Sequence, residues 1–407
     1  MRIIIAPDSF KGSLSAITAA RIIKKGFLRS FPGAEYSLLP ISDGGEGLID
    51  VLLSGVPARR RVHRSLGVGG SAGFRHAGVG GKRVFCFVSD PLGRPMKASY
   101  GILPGGKAAV LEMASASGLT LLKPEERNPL KTSTYGTGQL IADALKRNIR
   151  RLIIGIGGSA TVDGGTGMAR ALGIKLLDGK GKEIPEGGGG LKRLARINIS
   201  GLNPAVKKAE ILVAADVNNP LLGKEGAACV YGPQKGATPE QVKVLEEGLS
   251  RLARVIAKDL GKEVSLLPGA GAAGGLGAGL YAFLGARIKS GVEIVLDLLN
   301  FSGKVKDADL IITGEGRIDL QVKFGKALLG VAKAGKKFNI PVLAFCGSRT
   351  PEAEELRRYG ITAIFPILPG PCTLKEAMER AEDFLFTTST QVATLLKCSG
   401  AIHRTIS

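Results

Sequence analysis

Short apolar runs, each closed by a polar or glycine-rich stretch and then followed by a helical period, recur from one end of the chain to the other. Arg2 to Ile5 reads as a buried strand, and the polar stretch Ala6 to Gly12 leads from it to a helix over about Ser15 to Ser30. Ile17, Ala20, Ile23 and Phe27 share one face of that helix. Tyr36 to Ile41 is a second strand, ending in Asp43-Gly44-Gly45-Glu46-Gly47. The same alternation returns late: Leu310 to Thr313 runs into Gly314-Glu315-Gly316-Arg317-Ile318-Asp319, Val342 to Phe345 into Cys346-Gly347-Ser348, and Ile361 to Ile367 into Leu368-Pro369-Gly370. A last helix starts at Thr373, with Glu376 closing a capping box, and runs to about Lys397. Strand, polar loop, helix is the order of an α/β fold. Two N-terminal strands are too few for a sheet, so they are expected to pair with the late ones. That gives a discontinuous domain of residues 1–58 and 286–397, with a second α/β domain, 84–285, inserted in it. The insert has strands at Arg151 to Ile156 and Ile211 to Ala215. Its best-marked helix has Thr238 as cap, Pro239 first, Gln241 closing the box and Gly261 as the stop.

Composition removes several classes of function. Apolar residues are 44% and charged residues 22% of 407, a globular balance, and no apolar run reaches the roughly 18 residues of a membrane span. The chain opens directly on a strand pattern without a leader-like apolar region, so a cytoplasmic protein without membrane contact is expected. Five cysteines stand singly and only three histidines occur, which disfavours a zinc site, a disulfide framework and a Ser-His-Asp triad. The net charge of +21 raises nucleic-acid binding, but basic residues are interleaved with acids and aromatics are only 5%, so no nucleic-acid partner is expected. One segment, 59–83, holds seven Lys and Arg and no acid; it reads as a solvent-exposed, mobile loop without a catalytic role.

Glycine, at 59 residues, is the compositional outlier. A Walker A loop needs Gly-Lys followed by Ser or Thr, and none of the nine Gly-Lys pairs has it. Gly155-x-Gly157-x-x-Ala160 with Asp178 imitates a dinucleotide fingerprint, but Gly164, Gly165 and Gly167 delay the helix past the position a pyrophosphate needs. The loop is better read as a nest of backbone N–H groups for a phosphate, on Gly157, Gly158 and Ser159. The run from Pro268 to Gly279 can act only through its backbone, at Gly274 and Gly275, by approaching a polyphosphate or another segment. Asp8, Asp43, Asp216 and Glu315 each follow a strand, and Asp319 follows Glu315 by one helical turn. Such acids either cap helices or converge at the strand ends on a ligand crevice. Gathered around one cleft, they suit a divalent cation and a base for a hydroxyl, and Lys11 and Arg317 beside them suit phosphoryl transfer to a small anion. Asp43 or Asp216 is expected as the base, Asp8, Glu315 and Asp319 near the divalent cation, and Ser9, Lys11 and Arg317 on the small anion.

Longer blocks carry a family likeness: APDSFKGSLSA (6–16), DGGEG (43–47), EMASASGL (112–119), NPLKTSTYGTGQL (128–140), GIGGSATVDGG (155–165), DVNNPLLGKEGAACVYGPQKGATPE (216–240), LPGAGAAGGLGAGL (267–280) and DADLIITGEGRID (307–319). In these blocks and their order the chain resembles the bacterial glycerate kinase family of two-domain type. The resemblance implies a flavodoxin-like parallel-sheet domain from both chain ends and an inserted α/β domain. It also implies ATP and Mg2+ as cofactors and D-glycerate as substrate, with 2-phosphoglycerate the favoured product; it leaves room for a homodimer. A non-catalytic regulator binding a nucleotide or sugar acid on the same fold is the alternative. The chain departs from the family pattern at Val162, where Asn is usual, at Leu320 and Val322, where small hydroxyl residues are usual, and over 59–83, which is expected to have no counterpart.

Overall fold

The computed structural model describes residues 1–54, 79–319 and 327–406, the last eight of these as backbone only. They form two compact units, Met1–Asp43 with Asp50–Gly80 and Val292–Ser407, and Gly44–Ile49 with Gly81–Gly291.

In the first unit both chain ends build one five-stranded sheet, in the order Ala363–Pro366, Val342–Arg349, Leu310–Ile318, Arg2–Ile5, Glu35–Leu38. Every pairing in it is parallel. A parallel sheet is covered on both faces, and Ile3, Ile4 and Ile5 are accordingly fully buried. The helix Ala16–Leu28 is capped by Ser15, whose side chain accepts from the Thr18 N–H, and it buries Ile23 and Phe27. It packs on the long C-terminal helix, where Gly26 lets Ser389 come close: a Cβ there would lie 2.5 Å from the Ser389 hydroxyl. The expected single helix from Thr373 is two, Leu374–Glu379 and Ala381–Ile406, although Thr373 does cap the first. A second difference bears on function. The strand from Leu310 does not end at Thr313 but continues through Gly314-Glu315-Gly316-Arg317 to Ile318, with Glu315 beside Cys346 and Arg317 beside Ser348. The glycines that suggest a loop are there because neighbouring backbone is close: a Cβ on Gly314 would lie 2.5 Å from the Phe345 carbonyl.

In the second unit a six-stranded sheet runs Arg287–Lys289, Glu210–Ala214, Arg151–Gly155, Ala108–Glu112, Pro95–Ile102, Lys82–Ser89. The first four strands are parallel and the last two antiparallel. The helix Pro239–Leu260 has the expected capping box, Thr238 with Gln241, and ends on Gly261 in the left-handed region. Three boundaries differ from those expected. Arg287–Lys289 extends this sheet, so the unit runs to Gly291 rather than to 285. Lys82 and Arg83, expected in the basic loop, open the edge strand. Gly44–Ile49 also belongs here, fitting where Gly155 and Gly157 have no side chains. Residues 59–78 of the basic segment lie outside the described residues. Among the described residues no helix is long and apolar enough to cross a membrane.

Candidate functional site

The first unit gathers charged side chains at the C-terminal ends of its central strands, where open α/β sheets place their ligands. Past Ile5 the chain stays in register with its neighbour: the Ala6 N–H donates to the Ile312 carbonyl at 2.7 Å and the Asp8 N–H to that of Gly314 at 2.8 Å. Asp8 and Glu315 thereby sit on adjoining strand extensions, both nearly buried at 8% and 9% exposure. The Ser9 N–H donates to Asp8 Oδ1 at 2.6 Å. Asp43, after the neighbouring strand, accepts from Lys11 Nζ at 3.1 Å. Burial, and secondarily the charge of Asp43, push the Asp8 carboxyl up to about 7, against the Ser9 N–H and Lys11. Asp43 raises Lys11, and Asp8 and Glu315 add to the effect. Lys11 thus feels three carboxylates, Asp43 at contact and Asp8 and Glu315 through their charge.

Arg317 and Asp319 pair with each other. Glu315 and Asp319 are not one helical turn apart; four extended residue steps, about 13 Å, carry the chain from one to the other. Arg317 is exposed, with Nε 3.5 Å from Asp319 Oδ2. The expected metal trio of Asp8, Glu315 and Asp319 is therefore not assembled. Among the described residues no three His, Cys, Asp or Glu side chains stand close enough to hold a metal.

Asp216 belongs to the second unit. Its Oδ1 accepts from Ser290 Oγ at 3.2 Å and from the Gly291 N–H at 3.0 Å, at the start of the helix Gly291–Leu298. That is the geometry of a helix cap, the plainer of the two roles such an acid can have. The glycine loop after the strand Arg151–Gly155 is shaped by Asp163, which is fully buried. Asp163 accepts from the Thr134 N–H and hydroxyl and from the N–H groups of Gly165 and Gly167. Burial nevertheless pushes its carboxyl up. At the tip of the loop Gly158 is exposed with φ +73°, Gly157 is half-buried, and Ser159 is turned inward.

Behind the loop lies Lys235, only 2% exposed. Its Nζ donates to Ser159 Oγ at 2.6 Å and to the Thr161 carbonyl at 2.8 Å. Burial brings it down to about 7, with the Asp163 charge opposing. Gly274 and Gly275 do not face solvent. They are buried, with φ of +68° and +87°, and a Cβ on Gly274 would lie 1.9 Å from the Thr161 carbonyl. The Gly164 N–H donates to the Gly274 carbonyl at 3.1 Å. Of the two roles open to this glycine run, close approach to another segment explains its composition, and the geometry gives a phosphate no access to Gly274 or Gly275.

Within the first unit the structure therefore brings Asp8, Ser9, Lys11, Asp43 and Glu315 together, and there Arg317 and Asp319 pair with each other; Asp216, Gly274 and Gly275 belong to the second unit. Sequence reasoning missed Asp163 and Lys235 as special positions. Asp163 carries a local signal, an acid enclosed by glycines that leave N–H groups free to bind it. Lys235, in Gly232-Pro233-Gln234-Lys235-Gly236, carries none, because nothing local says that this lysine turns inward.

Comparison with known proteins adds the following. A model of the glycerate kinase family matches residues 3–75 and 67–397, two stretches that overlap within the segment 59–83. A Halalkalibacterium halodurans protein named glycerate kinase is 48% identical over 391 residues, 96% of this chain and 97% of its own length. An Escherichia coli protein named glycerate 2-kinase is 46% identical over 396 residues, 97% of this chain and 98% of its own. The crystal structure of a Salmonella typhimurium protein assigned as a candidate glycerate kinase 2 superposes with a TM-score of 0.82 at 45% identity, covering 98% of this chain and 99% of that one.

Proposed function

This chain belongs to the glycerate kinase family, and we propose that it transfers the γ-phosphoryl group of ATP to the 2-hydroxyl of D-glycerate, using the carboxylate cluster of its first unit. It is an enzyme that phosphorylates glycerate; the reading as a non-catalytic regulator gives way to relatives named as kinases over nearly their whole length. The observation that carries the assignment of residues is Asp8: a nearly buried carboxyl, pushed up to about 7 and grouped with Lys11 and Asp43, can take a proton from an alcohol near neutral pH. Asp43 holds Lys11 in place, and Lys11 with the Ser9 hydroxyl offers charge-assisted donors to the carboxylate of glycerate or to the transferring phosphoryl oxygens. Asp216, tied to Ser290 and Gly291, is assigned a structural role instead of that of the base.

The backbone N–H groups of Gly157 and Gly158 are assigned to the phosphates of ATP, since oriented N–H groups at an exposed glycine turn bind anions. The donors of the first unit also fit Mg2+, which takes one or two carboxylates together with phosphate oxygens and water; Glu315 and Asp43 would supply them. When bound, the ion would draw charge from the phosphate oxygens. The preference for the 2-position rests on the 46% identity to the relative named glycerate 2-kinase. Identification of the product by phosphorus NMR, after incubation with ATP, Mg2+ and D-glycerate, tests the reading. The expected product is 2-phosphoglycerate; 3-phosphoglycerate would overturn the position, and inorganic phosphate alone the acceptor.

A further inference from the structure

A lysine without a carboxylate within hydrogen-bond distance is costly to bury, and Lys235 is the most deeply buried lysine among the described residues. Its place is fixed from the backbone outward. Pro233–Lys235 forms a tight 3-10 turn that ends on Gly236 at φ +90°. A Cβ on Gly236 would lie 2.3 Å from the Arg127 carbonyl, so the turn is pressed against that segment and the side chain has one way to go. It reaches the underside of the glycine loop and donates to Ser159 Oγ at 2.6 Å and to the Thr161 carbonyl at 2.8 Å. An ammonium group has donors only. Ser159 Oγ must therefore accept from it, which leaves the hydroxyl proton to point away from Lys235. The other charged or titratable groups facing Nζ are Asp163, on the same loop, and the Tyr231 ring, 5.9 Å away on the helix Ala227–Tyr231.

We propose that Lys235 is a positioning residue for the nucleotide: it anchors the inward-turned Ser159 side chain and the Thr161 carbonyl, so fixing the shape of the glycine loop, and holds positive charge beneath the Gly157–Gly158 turn, where a phosphate oxygen of ATP binds. The inference rests on the reading of that turn as the phosphate site. It gives a role to a lysine whose charge burial disfavours, bringing it down to about 7. An arriving phosphate favours the charged form, so binding takes up a proton whenever the empty site is neutral.

The test compares KM for ATP and kcat between about pH 6.5 and 8.5 in the parent enzyme, Lys235→Arg and Lys235→Met, with binding of a non-hydrolysable ATP analogue followed by calorimetry. The parent KM for ATP should rise by about tenfold across this range relative to Lys235→Arg, whose charge does not titrate. The ratio of the two cancels the titration of ATP itself. Lys235→Met should show a KM for ATP about tenfold or more above the parent at the lower pH, with kcat within about threefold. A Lys235→Met enzyme with parental KM and a lower Tm would show that the lysine only supports the loop, and would overturn the proposal. Should Lys235→Met not fold, parallel pH profiles for the parent and Lys235→Arg would overturn it equally. Failure of the kinase reading itself is seen separately: the parent would bind the analogue without turning over ATP in the presence of glycerate.

Discussion

Replacing Asp8 by Asn should make the protein more stable at neutral pH while abolishing most of its activity. Asn keeps the shape and can still accept from the Ser9 N–H, but it carries no charge. The folded protein holds the Asp8 proton up to about 7, whereas the unfolded chain releases it near 3.8. Between these values the native state binds more protons than the unfolded one, so stability falls as pH rises through the window and levels off above it. At 1.36 kcal/mol per pH unit the full effect is about 4 kcal/mol, an upper bound because the buried site relaxes around the charge. Urea unfolding without ATP or divalent ions, read on the transition of the unit that carries Asp8, is the assay. Asp8→Asn should match the parent near pH 4 and exceed it by about 2–4 kcal/mol near pH 8. Its kcat should fall by about 10²-fold or more. A variant less stable than the parent at the higher pH, or a difference that does not change with pH, would show that the fold accommodates the Asp8 charge. The residue would then have no claim to accept a proton near neutrality.

The other carboxylates separate by role. Asp43→Asn, which removes the partner of Lys11, should lower kcat by about 10²-fold or more in steady-state assays. Asp216→Asn should keep turnover within about threefold while losing at most about 1 kcal/mol in a melting experiment, because the amide oxygen can still accept both hydrogen bonds and only the charge at the helix start is lost. Gly274→Ala should cost about 2 kcal/mol or more, since a Cβ would meet the Thr161 carbonyl at 1.9 Å from a left-handed backbone; a stable variant with raised KM for ATP would restore this glycine to the phosphate site.

Much of this was legible in the chain because local rules and tertiary packing agree. The Thr238 capping box, Pro239 and the Gly261 stop delimit a helix without reference to anything distant. The apolar runs at Arg2–Ile5 and from Leu310 lie side by side because a buried central strand needs a neighbour on both edges, and each has only one from its own end of the chain. What failed depends on contacts far away in sequence. Gly314-Glu315-Gly316 has the composition of a loop, and only its pairing with Val342–Arg349 makes it a strand; that pairing moves Asp319 away from Glu315. Glycine at 274 and 275 signals close approach of backbone but cannot say whether the visitor is a phosphate or the neighbouring loop. Lys235 is polar in any sequence pattern, and its burial follows from a turn set against Arg127. Asp8, Asp43 and Glu315 come together because the C-terminal ends of parallel strands gather such residues whatever their spacing in sequence, whereas Asp216 caps a helix.

The measurement that reaches the central claim most directly is ATP consumption by the parent enzyme and by Asp8→Asn, side by side, with and without D-glycerate and with and without Mg2+. The account predicts turnover by the parent only when glycerate and the cation are both present, and turnover by the variant lower by about 10²-fold or more under the same conditions. Equal ATP consumption with and without glycerate, or an Asp8→Asn enzyme as active as the parent, would contradict it.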